Sequence, residues 1–101
     1  MSFRVLWSDS ALDRAAQLFD FIAEESPAVA RRVIEDLFDR VKVLSDFPQL
    51  GRRLSEEIDS SLRRLVVGSY ITVYQVEEGT QTITVVAVRH FREKTLAEEE
   101  P

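Results

Sequence analysis

The apolar residues of this chain change their period once, and that change constrains the fold more than any other feature. Between residues 12 and 44 they recur at helical spacing. From Arg63 onward they alternate or run in β-branched blocks. A period of three to four places one buried stripe on a helix, whereas a period of two places one buried face on a strand. The chain therefore joins a helical half to a sheet half.

The first half holds two helices. Ser8-Asp9-Ser10 signals a start: Ser10 is placed to cap the first turn, and Asp13 completes a capping box. Leu12, Ala15, Ala16, Phe19 and Ile22 form one stripe, and this helix is expected to end near Glu25. Ser26-Pro27 restarts the pattern, because proline costs nothing at the first helical position. Ala30, Val33, Ile34, Leu37, Phe38, Val41 and Leu44 form the second stripe. So short a connection predicts an antiparallel hairpin. Phe47-Pro48 ends it, and residues 45–61 read as irregular, with Leu50, Leu54 and Ile58 pinning the loop.

The strands surround this hairpin in sequence. Phe3, Val5 and Trp7 alternate with Arg4 and Leu6, which predicts a short first strand. Arg63 to Val67, Tyr70 to Val76 and Thr82 to Arg89 are three more, joined by tight turns at Gly68-Ser69 and Glu78-Gly79. The order β-α-α-β-β-β predicts a two-layer α+β fold, with an antiparallel sheet packed against the helical hairpin. A single domain over 1–101 is expected, with about 95–101 as a flexible acidic tail.

Composition narrows the chemistry. The absence of cysteine removes disulfides, thiolate nucleophiles and Cys-type zinc sites. There is no phosphate loop and no metal-ligand cluster, so neither cofactor nor metal is expected. No apolar run approaches the ~20 residues of a membrane span, and the first residues are too few and too polar for a signal peptide. No membrane partner and a cytoplasmic location are expected. The net charge of −5 opposes nucleic acid on average, yet it is unevenly spread. Residues 60–76 carry Arg63 and Arg64 and no acid, and residues 79–92 carry Arg89, His90 and Arg92 and no acid.

The motifs that close the argument are a helical hairpin ending in Phe47-Pro48-x-Leu50-Gly51-Arg52, then Arg63-Arg64-Leu65-x-x-Gly68-x-Tyr70-x-x-x-Tyr74-x-Val76, then Ile83-x-Val85-x-x-Val88-Arg89-His90-x-Arg92. In this order and spacing they resemble the RelE/ParE toxin superfamily of type II toxin–antitoxin systems, and its ParE-like branch most closely. The resemblance implies a sheet curved around two helices, and a cognate antitoxin that wraps the toxin in a higher-order complex. It implies one of two targets: DNA gyrase for ParE toxins, or mRNA in the ribosome for RelE-type toxins. A degenerate member that binds its antitoxin without toxicity is the third reading. Ile71 and Phe91 stand where many relatives have arginine and glycine, and family toxins are often basic. These departures weigh against the ribonuclease.

Gyrase inhibition requires a binding surface and no catalytic group. Target contacts are then expected among Arg63, Arg64, Arg89, His90 and Arg92, with the stretch from Arg89 to Leu96 implied by the resemblance. Metal-free RNA cleavage would instead need an acid, a base and cations around the phosphate. His90, Arg64 and Arg92 are the candidates. His90 also has a structural reading, as a residue bonded to nearby backbone at a strand end. Arg63 and Arg64 are adjacent on a strand and must point to opposite faces. Tyr70 and Tyr74 share one face and are read as an aromatic pair closing the core. Antitoxin contacts are expected at Phe21, Ile22 and Val29 near the hairpin tip and at Leu18 beside the stripe, with core packing as the alternative.

Overall fold

The computed structural model describes residues 2–55 and 59–90. Its elements are β1 (Arg4–Trp7), α1 (Asp9–Ala23), α2 (Pro27–Lys42), a 3₁₀ turn (Val43–Ser45), β2 (Arg52–Ser55), β3 (Asp59–Val67), β4 (Tyr70–Glu77) and β5 (Thr82–His90). The strands form one sheet in the order β1-β5-β4-β3-β2. Two helices thus pack on a five-stranded sheet in an α+β, two-layer arrangement.

Two details of the sheet differ from the sequence reading. The sheet is mixed, because β1 runs parallel to β5, with Val5 opposite Ile83 and Trp7 opposite Val85. The chain between them, the helical hairpin followed by β2, β3 and β4, supplies the long crossover that a parallel pair requires. Part of the segment read as irregular is β2, which pairs antiparallel with β3. Its sequence, Arg-Arg-Leu-Ser, lacks the β-branched enrichment that announces a strand. Ile58 lies outside the described residues.

The helix boundaries follow from their caps. Ser8, not Ser10, caps α1 and accepts a hydrogen bond from the Ala11 N–H at 3.1 Å. Ser26 caps α2 through the Val29 N–H, with Pro27 beginning the helix. The Gly68-Ser69 hairpin has Gly68 at φ 59°, the positive φ that a two-residue turn of the II′ kind requires first. In the β4–β5 turn the left-handed residue is Gln81, not Gly79.

One face of the sheet receives the helices, with α1 over β5 and α2 over β3. Leu37, Val41 and Leu44 meet Val67, Tyr74, Val76, Ile83, Val85 and Val88 there. The buried stripe of α1 is Ala11, Ala15 and Leu18 rather than Leu12, Ala16 and Phe19. Small side chains let α1 approach the sheet, and the larger ones turn sideways toward α2. Trp7 packs on Phe38 with ring centroids 4.5 Å apart, which fastens β1 to α2.

Thr72 is fully buried on the helix side, and its hydroxyl has no hydrogen-bond partner among the described residues. A buried unpaired hydroxyl costs more than the methyl that could replace it. Thr72→Val is therefore expected to stabilise the fold by about 1 kcal/mol. Thermal unfolding should show a higher midpoint, and a lower one would mean that the hydroxyl is bonded.

Candidate functional site

Strand alternation sorts the polar residues, and one irregularity alters the sorting. In β4, Tyr70, Thr72, Tyr74 and Val76 face the helices, and Ile71 and Val73 face away. In β5, Val85 pairs with Tyr74 but Ala87 pairs with Val73, so Val86 is an extra residue. Such a bulge shifts the alternation beyond it by one. Before it, Ile83 and Val85 face the helices; after it, Val88 and His90 do. Arg89 is thereby turned to the outer face.

The outer face then brings Arg52, Arg64 and Arg89 near one another, with Arg4 of β1, opposite Thr82, farther along the same face. Arg52 pairs across the strands with Arg64, and Arg64 with Val73. Arg89 stands opposite Ile71, the neighbour of Val66. Arg64 and Arg89 flank β4 at about 10 Å laterally, within reach of a single ligand surface. Arginines set directly opposite each other repel, so this face favours an anionic partner. Among the described residues, Glu77 is the carboxylate on this face, about 13 Å along β4 from Val73. No histidine lies there among them.

Arg63 is occupied elsewhere. Its guanidinium donates to the Gly51 carbonyl at 2.7 Å and to the Gln49 carbonyl at 3.4 Å. Beside it, the Tyr74 hydroxyl donates to the Pro48 carbonyl at 2.9 Å and accepts from the Gly51 N–H at 2.8 Å. These bonds lock the loop before β2 onto the sheet. A Cβ on Gly51 would lie 2.5 Å from the Arg64 carbonyl oxygen and 2.6 Å from the Tyr74 hydroxyl, so only glycine fits. Burial pushes the Tyr74 phenol above its ordinary pKa, against the smaller pull of the Gly51 N–H and the Arg63 charge.

His90 belongs to a different place, at the hairpin tip. It meets Tyr70 edge-on, with ring centroids 5.3 Å apart. The two rings stand between two cavities. One, of about 370 Å³, is bordered by Ile22, Val29, Val33 and Asp36; the other, of about 420 Å³, by Arg14, Gln17, Leu18 and Phe21. Arg14 reaches across to donate to the Val88 carbonyl at 3.3 Å. Phe21 is 73% exposed and Val29 is exposed, while Ile22 is half-buried. Leu18 is a correction: at 7% exposure it is a core residue, because the buried stripe of α1 passes through it.

The sheet thus separates residues that the sequence had grouped. His90 lies on the helix side, and Arg64 and Arg89 lie on the other. Arg92 and the residues following His90 are outside the described ones, as is the acidic tail. Sequence reasoning missed Arg52, which joins the outer face only because β2 exists.

The arrangement of two helices on a five-stranded sheet matches known proteins. The family model described as ParE toxin of type II toxin–antitoxin system, parDE, matches residues 5–95. The chain belongs to the ParE toxin family. The chromosomal ParDE system of P. aeruginosa superposes with a TM-score of 0.72 at 18% identity, covering 88% of this chain and 96% of that one. The isolated E. coli RelE toxin gives 0.67 at 16%, covering 95% and 90%. The RelBE2 toxin–antitoxin complex of Mycobacterium tuberculosis gives 0.64 at 21%, covering 89% and 99%. A comparison with curated sequences gives no significant match.

In this ParE-family chain the Phe47-Pro48-x-Leu50-Gly51 motif is the loop that Tyr74 and Arg63 hold. Tyr74→Phe would leave the Gly51 N–H unpaired in a buried site, which is expected to cost about 2 kcal/mol in chemical denaturation. Gly51→Ala should cost about 1–3 kcal/mol. The neutral phenol is the form the fold favours, so its contribution is full below the unfolded pKa of about 10 and is lost as pH rises through the raised folded value. Denaturation measured between neutral and strongly alkaline pH should show this loss in the parent chain and not in Tyr74→Phe. Equal alkaline profiles for the two would refute it.

Proposed function

We propose that this ParE-family toxin acts in the cytoplasm by binding DNA gyrase through its arginine-bearing outer face, with no catalytic step of its own. The observation that carries this reading is the bulge at Val86. It turns Arg89 outward beside Arg64 and sends His90 to the opposite side. RNA cleavage needs an acid and a base at the phosphate, and the described part of the outer face brings neither His nor a nearby carboxylate to the arginines. A binding mechanism needs only a complementary surface.

The hairpin tip suits the second partner, a cognate antitoxin. Its two apolar cavities are rimmed by Phe21, Ile22 and Val29, and Arg14 and His90 stand at their border. This favours an amphipathic antitoxin segment with two apolar side chains and an acidic flank. His90 and Phe21 then serve neutralisation, and Arg52, Arg64 and Arg89 serve toxicity.

The cluster of Arg52, Arg64 and Arg89 also supports a second reading, ribosome-dependent mRNA binding and cleavage, because arginine pairs well with phosphate. The two readings separate in one experiment. Purified protein is added to gyrase supercoiling reactions, while an SOS reporter and mRNA 5′ ends are followed after its induction in bacteria. Inhibited supercoiling and a raised reporter are expected. New mRNA ends with normal supercoiling would replace the gyrase reading with the ribonuclease. Growth without arrest would indicate a member that has lost toxicity.

Two substitutions test the division of surfaces. Arg64→Ala should weaken gyrase inhibition about tenfold and leave antitoxin binding intact. Phe21→Glu should weaken antitoxin binding about tenfold or more and leave gyrase inhibition intact. Titration of each variant against gyrase and the co-purified antitoxin provides both readouts, and exchanged effects would overturn the assignment.

A further inference from the structure

We propose that the target protein adds an extended, acidic segment to the open edge of β3, in the notch where β2 stops short. This rests on the reading of the adjoining arginine face as a gyrase-binding surface, and it names the chemistry of the segment that binds.

The notch follows from unequal strand lengths. β3 runs to Val67, but its pairing with β2 reaches no farther than Arg64 opposite Arg52. Leu65, Val66 and Val67 therefore have β4 on one side and, among the described residues, no strand on the other. Hairpin geometry decides which backbone groups this leaves bare. Val67 and Tyr70 flank the two-residue turn, and such a closing pair exchanges its hydrogen bonds inside the hairpin. Alternation then directs the N–H and C=O of Leu65 and Val67 to β4, and those of Arg64 and Val66 away from it. The Arg64 carbonyl agrees, since it lies against Gly51 at the head of β2. Val66 thus points one donor and one acceptor out of the sheet edge, and among the described residues no backbone bond outside the ladders reaches either.

The surroundings of this edge are apolar with a basic rim. A cavity of about 280 Å³ opens beside it, bordered by Arg40, Val43, Leu50, Leu65 and Val66, with no acid among them. Val66 and Leu50 are each 57% exposed, and Val43 is 42% exposed. An unpaired edge flanked by exposed apolar side chains is a template for an added strand. Such a strand sends its side chains alternately to the two faces. One enters the cavity toward Leu65, Leu50 and Val43, below the end of α2. The next lies beside Val66 on the outer face, where Arg64 stands two residues along β3. Arg40 rims the notch on the helix side and Arg64 on the other, so both faces of the added strand meet a cation. That selects carboxylates flanking an apolar side chain. A second copy of this chain would bring the same arginines against these, and a nucleic acid would leave the apolar cavity unfilled.

Hydrogen exchange of the full chain, alone and with gyrase holoenzyme, tests the proposal alongside supercoiling inhibition. In the free chain the Val66 amide is expected to exchange fast, while Leu65 and Val67 are protected by β4. In the gyrase complex Val66 should slow by about tenfold or more. Val66→Pro removes the donor at an edge position that tolerates proline, and Leu50→Asp sets an acid against the incoming acids. Each should weaken inhibition about tenfold. Circular dichroism and thermal unfolding check the fold, and Leu50→Asp, at an exposed position, carries the test if Val66→Pro unfolds the chain. A Val66 amide that stays fast in the gyrase complex would overturn the proposal, as would inhibition that ignores Leu50→Asp. With Arg64→Ala still weakened, either result leaves the gyrase reading standing. A parent chain that does not inhibit gyrase overturns both. Notch variants that lose the antitoxin and keep gyrase inhibition would give the notch to the antitoxin, which also overturns the proposal.

Discussion

Val86 is the residue of β5 that β4 does not pair, and the two faces of the sheet owe their chemistry to it. Had the alternation of Ile83 and Val85 continued, Ala87 and Arg89 would face the helices and His90 would face away. An arginine would then be pressed toward the core beneath α1, where burial of a charge is expensive. The extra residue lets β5 present Val88 to the core and Arg89 to the outside. It also puts His90 against Tyr70, so that an aromatic contact closes the sheet where the helical hairpin ends. Packing and the placement of Arg89 and His90 are thus set by one local irregularity, as is common where bulges re-aim side chains.

The outer face depends on a second device. Arg52 reaches it only because β2 is paired with β3, and β2 is a short edge strand of low strand propensity. Its position is secured from the preceding loop. Tyr74, fully buried, holds that loop through the Pro48 carbonyl and the Gly51 N–H, and Arg63 adds the Gly51 carbonyl. Arg63 is thereby engaged with that loop on the helix side of the sheet. Adjacent arginines take different parts because strand geometry sends them to opposite faces: Arg63 fastens the loop, and Arg64 faces outward.

The sequence made the two helices, β1 and the three-strand meander legible, because each has a clean period and its own stop signals. Ser26-Pro27 and Gly68-Ser69 act through local geometry alone and were readable as such. The parallel pairing of β1 with β5 was not, since pairing direction depends on where the crossover delivers the chain. Nor was the bulge: Ile83, Val85, Val86 and Val88 are all apolar, and a run without polar residues hides a change of face. That run concealed the side on which His90 falls. Leu18 was misplaced for a related reason, because α1 bears apolar residues on two adjacent sides and either could have been the buried one.

Those two sides of α1 explain how a net acidic toxin can keep a basic face. The sheet takes Ala11, Ala15 and Leu18, and Leu12, Ala16 and Phe19 remain beside the α1–α2 groove. Beyond them stand Asp9, Asp13, Asp20 and Glu24, with the core between these acids and Arg52, Arg64 and Arg89. Exposed charges separated by more than about a Debye length, roughly 8 Å at physiological salt, hardly feel one another. The acids of the hairpin therefore do little to neutralise the arginines across the sheet. Net charge then describes the chain poorly, and each surface is better judged by its own charges.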